Sequence, residues 1–266
     1  GTQLTMRTFH AGGVAGEDIT MGLPRVEDVF ERRTPKSEAS VAEIDGMVSD
    51  IKEGETEGER FIVVVGDGKK KEAEHEVAPR RTPIVKPGQE VKAGDLLTDG
   101  HADINMIFKY GGKAKAEKYV INEITKIYET QGASISRKHI EIIVRQMFSR
   151  LRIKEVGDTY FSIGDIVEEA ELLEENRRVK EEGGEPAKEE QLVLGITEVS
   201  LNKESWLSAA SFQHTSRVLI DAAIRGSVDR LRGMKENVIL GRLIPAGTGI
   251  GAQAEAIEET TEEEEA

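Results

Sequence analysis

Short β-like runs occupy the chain from about Val41 to Thr98, and helical patterns lie on both sides of them. Val41-Ala-Glu-Ile-Asp-Gly-Met-Val48 and Phe61-Ile-Val-Val-Val65 have the apolar pattern of strands, and Gly-Asp-Gly at 66–68 marks a turn. In 114–130 and 137–150, apolar residues instead recur at helical intervals. The separate β-rich and helical blocks predict an α+β fold.

Turn residues and changes of composition divide the chain into six segments. We expect a helix–loop–helix at 1–33, a small β-barrel- or sandwich-like module at 34–106, a helical segment at 107–151, a short strand plus a charged helix at 152–191, a helical region at 192–250 and a disordered acidic tail at 251–266. We therefore expect a fragment made of several structural parts rather than one domain.

Composition excludes several chemistries. The 266 residues include no cysteine, so disulfides, thiolate metal sites and a cysteine nucleophile are ruled out. The net charge of −14 argues against a free-standing nucleic-acid binder, although half of that excess lies in the tail after Gly251, with its seven Glu and no basic residue. No uninterrupted apolar run approaches 18 residues, so we expect no membrane partner.

The first ten residues carry the strongest candidate site. If they form a helix, Gln3, Met6, Arg7 and His10 share one face. An apolar thioether, an amide, a cation and an imidazole together are suited to a base and its phosphates. From spacing alone, the simpler interpretation is a partly buried helix whose Arg and His reach solvent.

Five stretches in the same order along residues 1 to about 250 resemble the bacterial RNA polymerase β′ subunit family. They are Gly1–His10 with its Gly-rich sequel, Gly22-Leu-Pro-Arg-Val26, His139-Ile-Glu-Ile-Ile-Val-Arg-Gln-Met147, Leu207-Ser-Ala-Ala-Ser-Phe-Gln213 and Lys235-Glu-Asn-Val-Ile-Leu-Gly-Arg-Leu-Ile-Pro-Ala-Gly-Thr-Gly249. The resemblance implies that 1–33 is the trigger loop, that 34–106 is the jaw near downstream DNA, and that 192–250 holds the first switch segment and the clamp base.

The resemblance also implies an activity, namely DNA-templated RNA synthesis by nucleotidyl transfer. The trigger loop would act as a mobile lid over the incoming nucleoside triphosphate. Met6 would then pack against the base, Arg7 and His10 would approach the triphosphate, and Gln3 would lie near the sugar. His10 would assist the pyrophosphate leaving group electrostatically or by donating a proton, and the sequence leaves both roles open.

Mg²⁺ is the cofactor implied for the full enzyme. The family binds it through an Asn-Ala-Asp-Phe-Asp-Gly-Asp run that is absent from residues 1–266, so we expect the metal ligands outside this chain and the fragment alone to be inactive. The Asp-Gly pairs at Asp45, Asp67 and Asp99 are interpreted as turns. The implied partners are the α, β, ω and sigma subunits, the rest of β′, the DNA template, the RNA product and the nucleotide, in the cytoplasm at the nucleoid.

Weaker candidates lie in the switch-like region. Gln213, Thr215 and Arg217 are candidate nucleic-acid contacts, and packing explains them about as well. Many family members have a lysine where this chain has Glu198, which puts a phosphate contact there in doubt. The four other histidines are interpreted as structural or exposed, and they are His75, His101, His139 and His214. The alternative function is a non-enzymatic assembly or docking module.

Overall fold

A computed structural model describes residues 22–53, 60–66, 72–78 and 81–250 of the chain. These residues divide into two compact units. One unit holds the described part of Gly1–Ser149 together with Leu192–Ile196, and the other holds the described part of Arg150–Gln191 and Thr197–Ala266. Strands and helices occur in both units, which confirms the α+β class, whereas the finer division into six segments stays a prediction.

The first described helix, α1 (Leu23–Phe30), matches the sequence expectation. Pro24 lies in its first turn, where backbone N–H groups have no partner within the helix, so the N–H that proline lacks costs no hydrogen bond. Val26 and Val29 are buried, and Phe30 packs against the same core. The predicted apolar stripe therefore attaches α1 to the rest of the first unit.

The predicted β-rich module is a curled, antiparallel four-stranded sheet. Its strands are β1 (Gly46–Glu53), β2 (Arg60–Gly66), β3 (Glu72–Val77) and β4 (Glu90–Val91), in the order β3-β2-β1-β4. A bulge between Val48 and Asp50 shifts the register of β1 against β2. Val48, Ile62 and Leu97 are fully buried on the inner face and form a core of their own.

The stretch α2 (Ile104–Thr130) consists of two helical parts on either side of a break at Gly112, and the second part begins close to the expected Ala114. Asp103 caps it by accepting a hydrogen bond from the Asn105 backbone N–H at 2.9 Å. The backbone leaves helical geometry at Gly112 (φ 77°, ψ 177°), and the pair Gly111-Gly112 reads in the sequence as the end of a helix. A conformation with positive φ favours glycine, so Gly112 separates the two helical parts.

Helix α3 (Arg137–Met147) ends three residues before the expected Arg150. Its buried stripe is nearly as predicted, with Ile140, Val144 and Met147 inside and Ile143 only half-buried. These side chains pack with α1 and α2 into the larger core of the first unit. The spacing of apolar residues therefore identified the face that packs.

The second unit contains a three-stranded sheet that the sequence did not predict in full. Its strands are β5 (Arg150–Glu155), β6 (Ile166–Glu168) and β7 (Lys188–Gln191), in the antiparallel order β6-β5-β7. Strand β7 lies just before the region from 192 that is expected to be helical. The charged helix expected within 152–191 is α4 (Glu169–Glu181), and its Leu172 and Val179 are buried.

Four short helices complete the described chain: α5 (Ile196–Leu201), α6 (Trp206–Ala210), α7 (Thr215–Arg225) and α8 (Met234–Ile239). Ser205 caps α6, and its Oγ donates to the Asp229 carboxylate at 2.6 Å. Helix α7 has no buried residue, and Ile220 and Ile224 on it are exposed. Across residues 22–53, 60–66, 72–78 and 81–250, none of the helices has the length and apolarity needed to cross a membrane.

Candidate functional site

The four residues of the N-terminal candidate site, Gln3, Met6, Arg7 and His10, lie outside the described residues. The first described residue after them is Gly22, which directly precedes α1. Their proposed roles therefore stay predictions.

Both ends of α1 are held by close contacts. Before the helix, a Cβ atom at Gly22 would lie 2.9 Å from Nε2 of Gln131, at the end of a flexible side chain. After the helix, the Arg32 guanidinium donates to the Val193 carbonyl at 2.5 Å. A Cβ atom at Gly195 would similarly lie 2.8 Å from the Glu31 carbonyl oxygen. These contacts fix the position of α1 within the first unit.

A buried ionic network joins α1 to two other segments. The Glu123 carboxylate, on α2, lies 2.5 Å from Nδ1 of His101 and 3.4 Å from Nε and Nη2 of Arg25. The Arg25 and Glu123 side chains are only 6% and 13% exposed. Burial opposes ionisation, yet the pKa of Glu123 is lowered, because His101 and Arg25 together outweigh desolvation. A charged carboxylate therefore binds α1 and the His101 loop to α2.

Tyr119 completes this network. It lies one helical turn before Glu123, and its hydroxyl accepts a hydrogen bond from the Ala102 backbone N–H at 2.9 Å. Burial, with the nearby Glu123 charge second, raises the pKa of Tyr119 to about 12, so the hydroxyl keeps its proton at neutral pH.

Sequence reasoning missed this network, although one signal was present. Glu123 lies between Val120 and Ile124 on the apolar side of α2, and both neighbours are fully buried. A carboxylate among buried positions requires a partner, because an unpaired buried charge is costly. The identity of the partners, Arg25 and His101, comes only from the fold.

The switch-like candidates lie together in the second unit, at the start of α7. Gln213, Thr215 and Arg217 are all exposed. The Thr215 hydroxyl donates to the Ala210 carbonyl at 2.8 Å, and the Arg217 Nε lies 3.9 Å from the Asp221 carboxylate. His214 between them has a positive φ of 53°, which is uncommon for a residue with a side chain. Arg217 is thus the candidate with the most accessible charge.

Positive charge accumulates around these candidates. The exposed cations of the basic region are Arg217, Arg225, Arg230, Arg232, Lys235 and Arg242. Residues 205–250 contain only three carboxylates, and two of these accept hydrogen bonds from residues of the same region. Asp229 accepts from Ser205 and from the Leu207 backbone N–H, and the buried Glu236 accepts from the Gly233 N–H at 2.5 Å. The region therefore presents net positive charge within an acidic chain, as contact with phosphates requires.

The remaining candidates behave as packing or turn residues. His75 is buried in the first sheet, and this burial lowers its pKa, with Glu43 opposing the shift. His139 and His214 are exposed. Asp45 and Asp99 accept backbone hydrogen bonds from Ala93 and Thr82 at 2.7 and 2.6 Å, whereas Asp67 lies outside the described residues.

No group of three or more His, Cys, Asp or Glu side chains in the described part of the chain is arranged to hold a metal ion. A Mg²⁺ ion for phosphoryl chemistry needs such oxygen ligands, so the described residues do not fit it.

Residues 1–205 match the family model described as RNA polymerase Rpb1, domain 5, and the chain belongs to this family. More narrowly, it is similar to proteins named DNA-directed RNA polymerase subunit beta′.

Three relatives illustrate the similarity. The chain is 50% identical to the Desulforudis audaxviator subunit over 250 residues, which cover 94% of this chain and 21% of that protein. It is 49% identical to the Acidothermus cellulolyticus subunit over 99% of this chain and 20% of that protein. It is 48% identical to the Thermobifida fusca subunit over 100% of this chain and 20% of that protein. The chain thus spans about a fifth of the length of the curated relatives it matches.

Proposed function

We propose that this chain is part of a DNA-directed RNA polymerase β′ subunit and acts in DNA-templated RNA synthesis. About half of the positions in this chain are identical to those of β′ subunits over nearly its whole length. This identity carries the proposal. Its contribution would be a lid that closes on the incoming nucleoside triphosphate, a jaw-like β module and a region that contacts nucleic acid.

The lid chemistry rests on the N-terminal residues. Met6 packs against the base of the nucleotide, Arg7 and His10 approach its triphosphate, and Gln3 lies near the sugar. Closure excludes water and holds the reacting groups in line, which lowers the barrier without a covalent intermediate. The firm attachment of α1 supports this role, because a closing segment needs a fixed base.

The rest of the polymerase supplies what this chain lacks. Carboxylates elsewhere in β′ would hold Mg²⁺, which neutralises charge on the transferring phosphoryl group. The proposed partners are the α, β, ω and sigma subunits, with the DNA template and the RNA product, in the cytoplasm at the nucleoid. Exposed apolar residues on and after α7, including Ile224 and Val228, favour a docking role in the same assembly.

A split-subunit reconstitution tests this proposal. A β′ subunit from one of the relatives, truncated before the matching segment, is combined with this chain and the other subunits, and templated RNA synthesis is measured. We expect synthesis only when both pieces are present, because the metal ligands and the lid lie on different pieces. The same measurement with this chain alone should give no product with any divalent metal. Templated synthesis by the isolated chain, or none after reassembly, would contradict the proposal.

A substitution at Arg217 tests the proposed nucleic-acid interface. Arg217→Ala in the reconstituted enzyme should weaken binding to a DNA–RNA scaffold and reduce the salt slope of log K by about 1, as expected for one lost phosphate contact. The measurement is a fluorescence titration at several salt concentrations. Arg177→Ala on α4 is the matched control, since that arginine is also exposed and has an i,i+4 carboxylate partner. Equal salt slopes for the two variants would refute a phosphate contact at Arg217.

A further inference from the structure

We propose that the solvent-facing side of α2 after Gly112 is a second surface for the phosphate backbone of duplex DNA, in addition to the basic region of the second unit. This surface, the lysine face, consists of Lys113, Lys118, Asn122 and Lys126, all of which are exposed. The inference goes beyond the proposed function, because it adds a contact in the first unit. It needs neither the N-terminal residues nor a metal ion.

The lysine face follows from the helical spacing of its residues. Lys118, Asn122 and Lys126 recur every four residues, which places them along one side of the helix. The other side of α2 is buried, because Val120 and Ile124 pack in the larger core of the first unit. The lysine charges are therefore held on the outside of that unit.

The net charge around the lysine face is positive, although the chain is acidic. Residues 104–149, which contain α2 and α3, include eight Lys and Arg and four Glu. This stretch therefore carries a formal charge of +4, whereas the whole chain carries −14. Two of the four carboxylates, those of Glu123 and Glu141, already pair with cations. The remaining positive charge attracts a polyanion.

The three lysines of this face are not neutralised by neighbouring carboxylates. Within the described chain, no ion pair joins Lys113, Lys118 or Lys126 to an acidic side chain. Lys115 on the same helix differs, since its Nζ lies 2.7 Å from the Asp95 carboxylate. A phosphate that approaches the three unpaired ammonium groups displaces only water and counterions, and the release of counterions favours binding.

The composition of the lysine face favours a phosphate backbone over a protein partner. Protein interfaces are depleted in lysine and have an apolar or aromatic centre. In the described chain, none of the large apolar side chains that are exposed lies on α2. A lysine ammonium is a compact charge on a flexible stem, so it contacts phosphates without a fixed geometry. Such contacts add affinity and orientation but do not read base sequence.

The length of the lysine face is compatible with a duplex. From Lys113 to Lys126 the helix advances about 20 Å, at about 1.5 Å per residue. Duplex DNA carries about one negative charge per 1.7 Å of its axis, so about 12 phosphate charges lie along the same length. There are therefore enough phosphates for each lysine to contact one while both the helix and the DNA stay straight.

The experiment is a fluorescence anisotropy titration of labelled duplex DNA with the full 266-residue chain at several salt concentrations. Lys118→Gln/Lys126→Gln removes two charges from the lysine face. We expect the salt slope of log K to fall by about 2 and the affinity at about 50 mM salt to fall about 100-fold. Lys118→Arg/Lys126→Arg retains both charges and should bind like the unchanged chain. Equal losses in the Gln and Arg variants would overturn the proposal.

The matched control is Lys154→Gln/Lys180→Gln in the second unit. Both lysines are exposed, and their loss changes the net charge of the chain by the same amount. This control should keep the slope of the unchanged chain, because a phosphate contact is local. Equal slopes for the control and Lys118→Gln/Lys126→Gln would show an effect of net charge alone and would overturn the proposal.

A variant with the opposite expected sign excludes damage to the fold as the explanation. Glu129 is an exposed carboxylate near the end of α2, one turn after Lys126. Glu129→Gln removes a repulsion from the approaching phosphates and should strengthen binding about twofold. A misfolded helix would not bind DNA more tightly, and weaker binding by Glu129→Gln would contradict the lysine face.

Poly-glutamate tests the other kind of polyanion, an acidic polypeptide. At equal concentrations of negative charge, unlabelled duplex DNA should displace the labelled duplex from the chain, and poly-glutamate should displace little of it. Equal displacement by both would overturn the assignment to DNA. Absence of salt-dependent DNA binding by the full chain would also overturn this inference. The proposed polymerase function would still stand, because the split-subunit reconstitution tests it separately.

Discussion

Polymerases carrying His10→Ala or Met6→Ala should add the next nucleotide about 10²-fold more slowly than the unchanged enzyme. In the proposed lid, loss of His10 would remove an electrostatic or proton-donating aid to the leaving pyrophosphate. Loss of Met6 would remove the proposed apolar contact with the base. The measurement is the single-turnover rate constant at saturating nucleotide, in the reconstituted enzyme.

The control for these variants lies on the other face of the same predicted helix. Thr8→Ala shortens a side chain between Arg7 and His10 in the sequence but on the opposite face, and it should leave the rate constant within about twofold. Affinity for the DNA–RNA scaffold should change little in all three variants, since the lid is expected to contact the nucleotide rather than the duplex. Normal addition rates in both His10→Ala and Met6→Ala would refute the lid assignment.

Arg150→Ala should destabilise the second unit by about 3 kcal/mol. The Arg150 side chain is almost completely buried, and its guanidinium lies 2.5 Å from the Glu168 carboxylate and donates to the Asn202 carbonyl at 2.8 Å. The alanine variant leaves a cavity and an unpaired carbonyl. The free energy of unfolding is measured in urea through the fluorescence of Trp206, which is the single tryptophan of the chain and lies in the same unit.

Two further variants identify the origin of that loss. Arg150→Met fills most of the volume without the charge, so it should cost less than Arg150→Ala. Arg152→Ala on the same strand removes an arginine whose side chain is 49% exposed and 3.9 Å from Glu190, and it should cost less than about 0.5 kcal/mol. A loss at Arg150 no larger than the loss at Arg152 would show that the buried contacts do not stabilise the unit.

Local sequence patterns predicted the helices that bury one regularly spaced stripe of apolar residues. Helices α1 and α3 are evident from apolar spacing because Val29 and Ile140 recur with their neighbours at helical intervals. Strand β7 could not be predicted, since Lys-Glu-Glu-Gln carries no apolar signal and exists as a strand only through pairing with β5. The helix predicted from Ala114 corresponds to the part of α2 after Gly112, and the earlier part from Ile104 was not predicted.

The candidate site residues also divide into those that local sequence patterns reveal and those that only the tertiary fold brings together. The basic region near Arg217 was accessible to sequence reasoning, because its residues are close in the chain and their motif resembles a known family. The contact between Arg25 and Glu123 joins residues 98 positions apart, and no local periodicity records such a pairing. Only the tertiary fold brings the two charges together.

Helix α7, with no buried residue, has a consequence for how the chain survives before assembly. A helix of 11 residues is marginally stable in water unless packing supports it. The chain therefore offers proteases a segment that opens readily.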